Sequence, residues 1–162
     1  MANGEPKYSA DTSSLIAAWR ERYPIRNFPP FWTRMEQALD ERLIVISREI
    51  YDEVRRKDEE LFEWLEPRAD CVVEVDDSIQ VHVATIMANY PKLVDTRTGK
   101  SGADPWVIAL AMTYNPKLTV VTEENKGGSV DRPKIPFVCG RPEIQVQSLN
   151  LLGLIQAENW VF

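Results

Sequence analysis

Four carboxylates sit just after or at the head of apolar segments. Asp11 follows Lys7–Ala10, Glu53 lies in the helix entered from Leu43–Ile46, Asp104 heads an apolar stretch, and Glu124 follows Leu118–Val121. Carboxylates brought together repel one another unless a cation lies among them. An all-oxygen cluster of this kind suits Mg²⁺ or Mn²⁺, which keep several waters. Such an ion activates bound water and offsets charge building on a phosphoryl group. Two positions stay open: Glu123 or Glu124 at the end, and Asp52 or Glu53 in the helix. Each acid also has a plainer role. Asp11 and Asp104 suit helix starts, Glu53 suits a solvated helix face, and Glu124 suits a polar loop.

These acids need elements to position them. Lys7–Ala10 reads as a strand, and Ser13 or Ser14 as the cap of a helix bearing Leu15, Ile16 and Trp19. Three prolines make 23–30 a loop, and Phe31–Arg42 is an amphipathic helix. Leu43–Ile46 is a short, wholly apolar run typical of a buried parallel strand, with Ser47 a cap for the helix holding Ile50 and Val54. A charged helix follows over 58–65, then a strand near Cys71–Val75 and a helix over Ile79–Asn89. Lys92–Gly102 is a polar loop. Asp104 caps a helix running to Tyr114, with Pro105 in its first turn. Leu118–Val121 is a strand, Glu123–Pro133 a loop, Phe137–Val138 a brief strand, and Ser148–Ala157 the last helix. Trp160–Phe162 should pack. Strands alternating with helices predict a three-layer α/β/α domain over 7–162, Rossmann-like, with a short-stranded parallel sheet and a disordered lead over 1–6. Ligands of such sheets lie beyond the carboxyl ends of the strands.

Composition removes other classes. The 162 residues hold 25 acids and 19 bases, net −6, which argues against a basic nucleic-acid binder. The acidity is one block: residues 35–80 carry fifteen acids and six bases, and the rest is near neutral. No apolar run is long enough to span a membrane, and residues 1–10 lack the apolar core of a signal peptide. Two cysteines without CxxC spacing and one histidine leave little for a zinc site or disulfide scaffold, and point to a cytoplasmic protein. Thr98–Ser101 (TGKS) lacks the earlier glycine of a phosphate loop. Lys92, Arg97 and Lys100 run into Asp104, as a phosphate-backbone contact or simply a solvated basic loop. His82 reads as structural or exposed. The five tryptophans are spread along the chain and form no base-stacking platform.

Four stretches, YSADTSSLI at 8–16, ISREIYDEVRR at 46–56, SGADPWVIALA at 101–111 and LTVVTEEN at 118–125, together resemble the PIN-domain nucleases. The resemblance runs from about Lys7 to Val138. The segment 135–162 looks like the end of an uncharacterised PIN-like subfamily. The resemblance implies a PIN-like fold and Asp11, Glu53, Asp104 and Glu124 as ligands of Mg²⁺ or Mn²⁺. It implies Thr12, Ser13 and Thr122 as polar support at the substrate; Lys100, from the basic loop before Asp104, is the further expected substrate contact. The implied activity is endoribonuclease cleavage of RNA. It also implies the toxin of a toxin–antitoxin pair, with an antitoxin partner and a homodimer. A glutamate in the last acidic position and bulky Pro105 and Trp106 in the third motif carry the alternative, a catalytically weak or inactive module that binds RNA or a protein.

Overall fold

The computed structural model describes residues 4–94 and 102–162. Arg97, Lys100 and the TGKS stretch lie outside the described residues, as do the first three residues of the expected lead. Five parallel strands form one sheet: β1 (Tyr8–Ala10), β2 (Ile44–Ser47), β3 (Val72–Val73), β4 (Thr119–Val121) and β5 (Ser148–Leu149). Their order is β3-β2-β1-β4-β5. Ser9 stands beside Val45 on one side and Val120 on the other. The chain first builds outward from β1 through β2 and β3, then returns to place β4 on the opposite side of β1. The point of reversal is therefore the β1/β4 boundary, where ligands of open parallel sheets bind.

Among the described residues, eight α-helices connect and cover the strands: α1 (Thr12–Ala17), α2 (Pro29–Asp40), α3 (Arg48–Lys57), α4 (Glu59–Leu65), α5 (Asp77–Asn89), α6 (Asp104–Met112), α7 (Ile135–Cys139) and α8 (Leu151–Ala157). Successive strand residues point to opposite faces. The Ser9 hydroxyl donates to the Val107 carbonyl of α6 at 2.8 Å, while the Tyr8 hydroxyl donates to Glu158, just past α8, at 2.5 Å. Helices thus lie on both faces, giving the expected α/β/α layering. Helix α6 is apolar all round: Val107–Ala111 are fully buried. It packs between the sheet and α5.

Side-chain caps start four of the described helices, α3, α4, α5 and α8. Ser47 accepts from the Glu49 amide at 3.3 Å and Asp58 from the Leu61 amide at 3.1 Å. Four expectations change. Phe137–Val138 falls in helix α7, because Pro136 lies in a helical first turn and cannot donate to a sheet. Ser148 opens a strand instead of a helix. The sheet edge at β4 claims it, with Val120 donating to the Gln147 carbonyl and Thr122 to that of Leu149, both at 2.9 Å. Asn150 then caps α8 by accepting from Gly153 at 2.8 Å. Asp104 is the first residue of α6, and the cap position falls one residue earlier, on Ala103. The tryptophans do not stay apart. Trp32 lies 5.0 Å from Trp19 and 4.8 Å from Trp64, ring centre to ring centre. The tail packs only in part: Trp160 and Phe162 lie about 6 Å from Phe31, but Val161 is 79% and Phe162 52% exposed.

Candidate functional site

Asp11 leaves the sheet at the carboxyl end of β1, its amide still donating to the Val121 carbonyl at 2.9 Å. It occupies the cap position of α1, yet its side chain makes no cap bond. Its Oδ2 instead accepts from Ser13 Oγ at 2.5 Å and from Thr122 Oγ1 at 2.9 Å. The two hydroxyls lie 3.2 Å apart. Both also take part in the turn after β4. Ser13 Oγ accepts from the Glu123 amide, and Thr122 Oγ1 from the Glu124 amide, each at 3.1 Å. The β1 and β4 ends are therefore stitched together around one carboxylate.

Glu53 takes the buried face of α3 with Ile50 and Val54 and is 3% exposed. The solvated reading fits its neighbours and not Glu53. Asp52 faces outward, its side chain 41% exposed and 3.9 Å from Arg48. Of the two, Glu53 is the one that lies buried and lines the cavity described below. Asp104 is equally buried at the head of α6. Glu124 is anchored where the loop returns: its Oε1 accepts from the Ile135 amide at 3.0 Å. Glu123 turns elsewhere, accepting from the Leu151 amide at 2.7 Å and pairing with Arg22 at 3.4 Å.

The four acids Asp11, Glu53, Asp104 and Glu124 line one cavity of about 390 Å³, together with Thr12 and Ser13. Glu123 and Asp52 do not line it. Two charged lining residues escaped the sequence reading. Lys57 stands one turn beyond Glu53, its Nζ 3.9 Å from Glu53 Oε2, and this i,i+4 pair was a visible signal. Glu21 also lines the cavity, from a π-helical turn over Ala18–Arg22. No sequence signal marks such a turn here.

Burial pushes the Asp11 carboxyl up to about 6. The Ser13 bond opposes this, the charge of Glu124 adds to it, the Thr122 bond opposes it, and Glu53 adds the remainder. Burial also raises the Cys139 thiol on α7, with the charges of Asp11 and Glu124 adding to the effect. Cys139 is therefore a neutral neighbour of the acids. Both cysteines are buried free thiols.

The donor set suits a hard cation: five carboxylates, the four acids and Glu21, and no imidazole or thiolate in the lining. Thr12 Oγ1, buried in the same lining, has no hydrogen-bond partner among the described residues, and a bound ion or its water would satisfy it. The acids share the cavity without converging on one point. Among the described residues, no three His, Cys, Asp or Glu side chains stand close enough to hold an ion. Repulsion among uncompensated carboxylates works in that direction.

The fold and cavity define an α/β/α protein with a carboxylate-lined site at the switch point of a parallel sheet. Over residues 8–162 the chain matches the family described as a domain of unknown function, DUF4411, and belongs to it. No curated protein matches the chain. Among the described residues, no helix is long and apolar enough to cross a membrane.

Proposed function

We propose that this chain is a Mg²⁺- or Mn²⁺-dependent nuclease that hydrolyses phosphodiester bonds, with RNA as substrate. The observation that carries the reading is the common cavity. Four acids from four separate segments, three of them nine-tenths buried or more, or anchored as Glu124 is, line one space at the carboxyl edge of the sheet. Asp11, Asp104 and Glu124 are the proposed ligands, with Glu53 assisting directly or through water. A cation held there supplies Lewis acidity and a water of lowered pKa. Ser13 and Thr122 fix the orientation of Asp11 through their hydroxyl bonds. The Ile135 amide fixes Glu124. Lys57 offsets part of the charge of Glu53 and brings a base to the cavity lining. Water is the nucleophile, and no side chain in the lining forms a covalent intermediate in this scheme.

The resemblance to PIN nucleases supports the RNA assignment. It extends the proposal to a cytoplasmic toxin of a toxin–antitoxin pair, restrained by a cognate antitoxin and acting as a homodimer. One observation favours the second reading, a catalytically inactive module binding RNA or a protein: the acids do not converge. Cleavage of end-labelled RNA separates the two. The nuclease reading expects products with Mg²⁺ or Mn²⁺, none with EDTA, and none from Asp11→Asn or Asp104→Asn. Cleavage that survives both substitutions sinks it.

A further inference from the structure

A second cavity, of about 340 Å³, adjoins the first at Glu124. Thr122, whose hydroxyl holds Asp11, also lines it. The size sits near the lower end of the ~300–1,000 Å³ range of ligand pockets and suits one nucleotide unit better than a duplex. Its chemistry differs from that of the acid cavity. Arg22 and Lys126 bring cations to the rim, and Leu149 and Pro136 give apolar wall. The carboxylate of Glu123 is occupied by the Leu151 amide and by Arg22, which tempers its repulsion of an anion.

Two amides in the lining are held by their carbonyl ends. Asn125 Oδ1 accepts from the Gly127 amide at 3.1 Å, and Asn150 Oδ1 from the Gly153 amide at 2.8 Å. This fixes which end of each side chain is spent on the backbone. The NH₂ ends are the donors left to serve a ligand. A polynucleotide with one phosphate over the acids must place an adjoining nucleotide in a neighbouring space, and this cavity shares a wall with them. Sequence-reading proteins bind such unstacked nucleotides by hydrogen bonds to base edges and by charge on the phosphate.

We infer that the second cavity is a nucleotide subsite: Arg22 and Lys126 hold a phosphate, and Asn125 and Asn150 donate to the base or sugar of the nucleotide beside the bond being cut. The inference rests on the nuclease reading, and its test does not use cleavage. The intact chain, in EDTA, is titrated separately with AMP, GMP, CMP, UMP and inorganic phosphate, following the backbone amide signals of 125–128 by NMR. At least one nucleotide is expected to bind about tenfold or more tightly than inorganic phosphate. Lys126→Gln and Arg22→Gln, both at exposed positions, are each expected to weaken it about fivefold, and Arg34→Gln on the far helix α2 to leave it unchanged. Asn125→Ala should reduce the preference among the four bases. Equal affinity for nucleotide and phosphate, or indifference to Lys126→Gln and Arg22→Gln, overturns the subsite even in a protein that cleaves RNA. Nucleotide binding with this pattern in a protein that never cleaves RNA upholds the subsite and removes the nuclease reading.

Discussion

Thr122 donates its hydroxyl to Asp11 Oδ2 across 2.9 Å, closing a loop of 111 residues at the boundary between β4 and β1. Thr122 Oγ1 in turn accepts from the Glu124 amide at 3.1 Å. One threonine therefore sets both the carboxylate that ends β1 and the turn that carries the acid after β4.

Thr122→Val removes the donor to Asp11 and the acceptor for Glu124, leaving buried polar groups unmatched. Loss of about 1–3 kcal/mol in urea unfolding is expected. Thr12→Val is the contrast. Its hydroxyl is buried with no hydrogen-bond partner among the described residues, so the isosteric change is expected to be neutral or slightly stabilising without metal. Equal losses from the two variants contradict this account of the hydroxyls.

The raised pKa of Asp11 gives a signed pH dependence. The folded state holds the proton up to about 6, against an ordinary value of 3.8. Between those values the native protein binds more protons than the unfolded chain, so this group's contribution falls as pH rises from about 4 to 6. Asp11→Asn removes that loss. In EDTA its stability relative to the native sequence should be lowest near pH 4, rise through pH 6, and level off, by at most about 3 kcal/mol. Chemical denaturation at several pH values reads it. A difference that stays flat with pH contradicts the burial account.

Cation binding should stabilise the folded chain. At an ion concentration about 100 times the dissociation constant the gain is about 2.7 kcal/mol. The melting temperature should rise with Mn²⁺ at pH 7.5 and rise less at pH 5, where protons compete for Asp11. Asp104→Asn and Glu53→Gln should reduce the rise. Asp52→Asn, at an outward position on the same helix, should leave it in place.

Lys57 is the base nearest the acids in the cavity lining, 3.9 Å from Glu53. Lys57→Gln removes a positive charge that competes with the ion. Mn²⁺ affinity measured by calorimetry is expected to rise by at most about fivefold, consistent with a partly solvent-screened pair worth under about 1 kcal/mol. A fall in affinity means that Lys57 positions Glu53 for binding.

Much of this site was legible because parallel strands announce themselves. Leu43–Ile46 and Leu118–Val121 read as buried strands, which places Glu53 and Glu124 near one edge of the sheet. The sequence left Asp52 and Glu53 open in the helix of Ile50 and Val54, and only burial against the cavity separates them. Glu123 and Glu124 could not be separated, because adjacent acids in an irregular turn are sorted by distant amides, Leu151 for one and Ile135 for the other. The strand Ser148–Leu149 was hidden because two residues carry no periodicity, and its stability comes from the β4 edge. The tryptophan cluster was hidden for the same reason. Trp19, Trp32 and Trp64 meet only once three helical segments have packed.

The central claim is that the acids of the first cavity hold a divalent ion. Anomalous scattering from a crystal soaked in millimolar Mn²⁺ tests it directly. The account predicts one strong peak in the cavity, about 2.0–2.3 Å from carboxylate oxygens of Asp11, Asp104 and Glu124, and no such peak in Asp11→Asn. A strong peak elsewhere with this cavity empty, or an unchanged peak in Asp11→Asn, contradicts it.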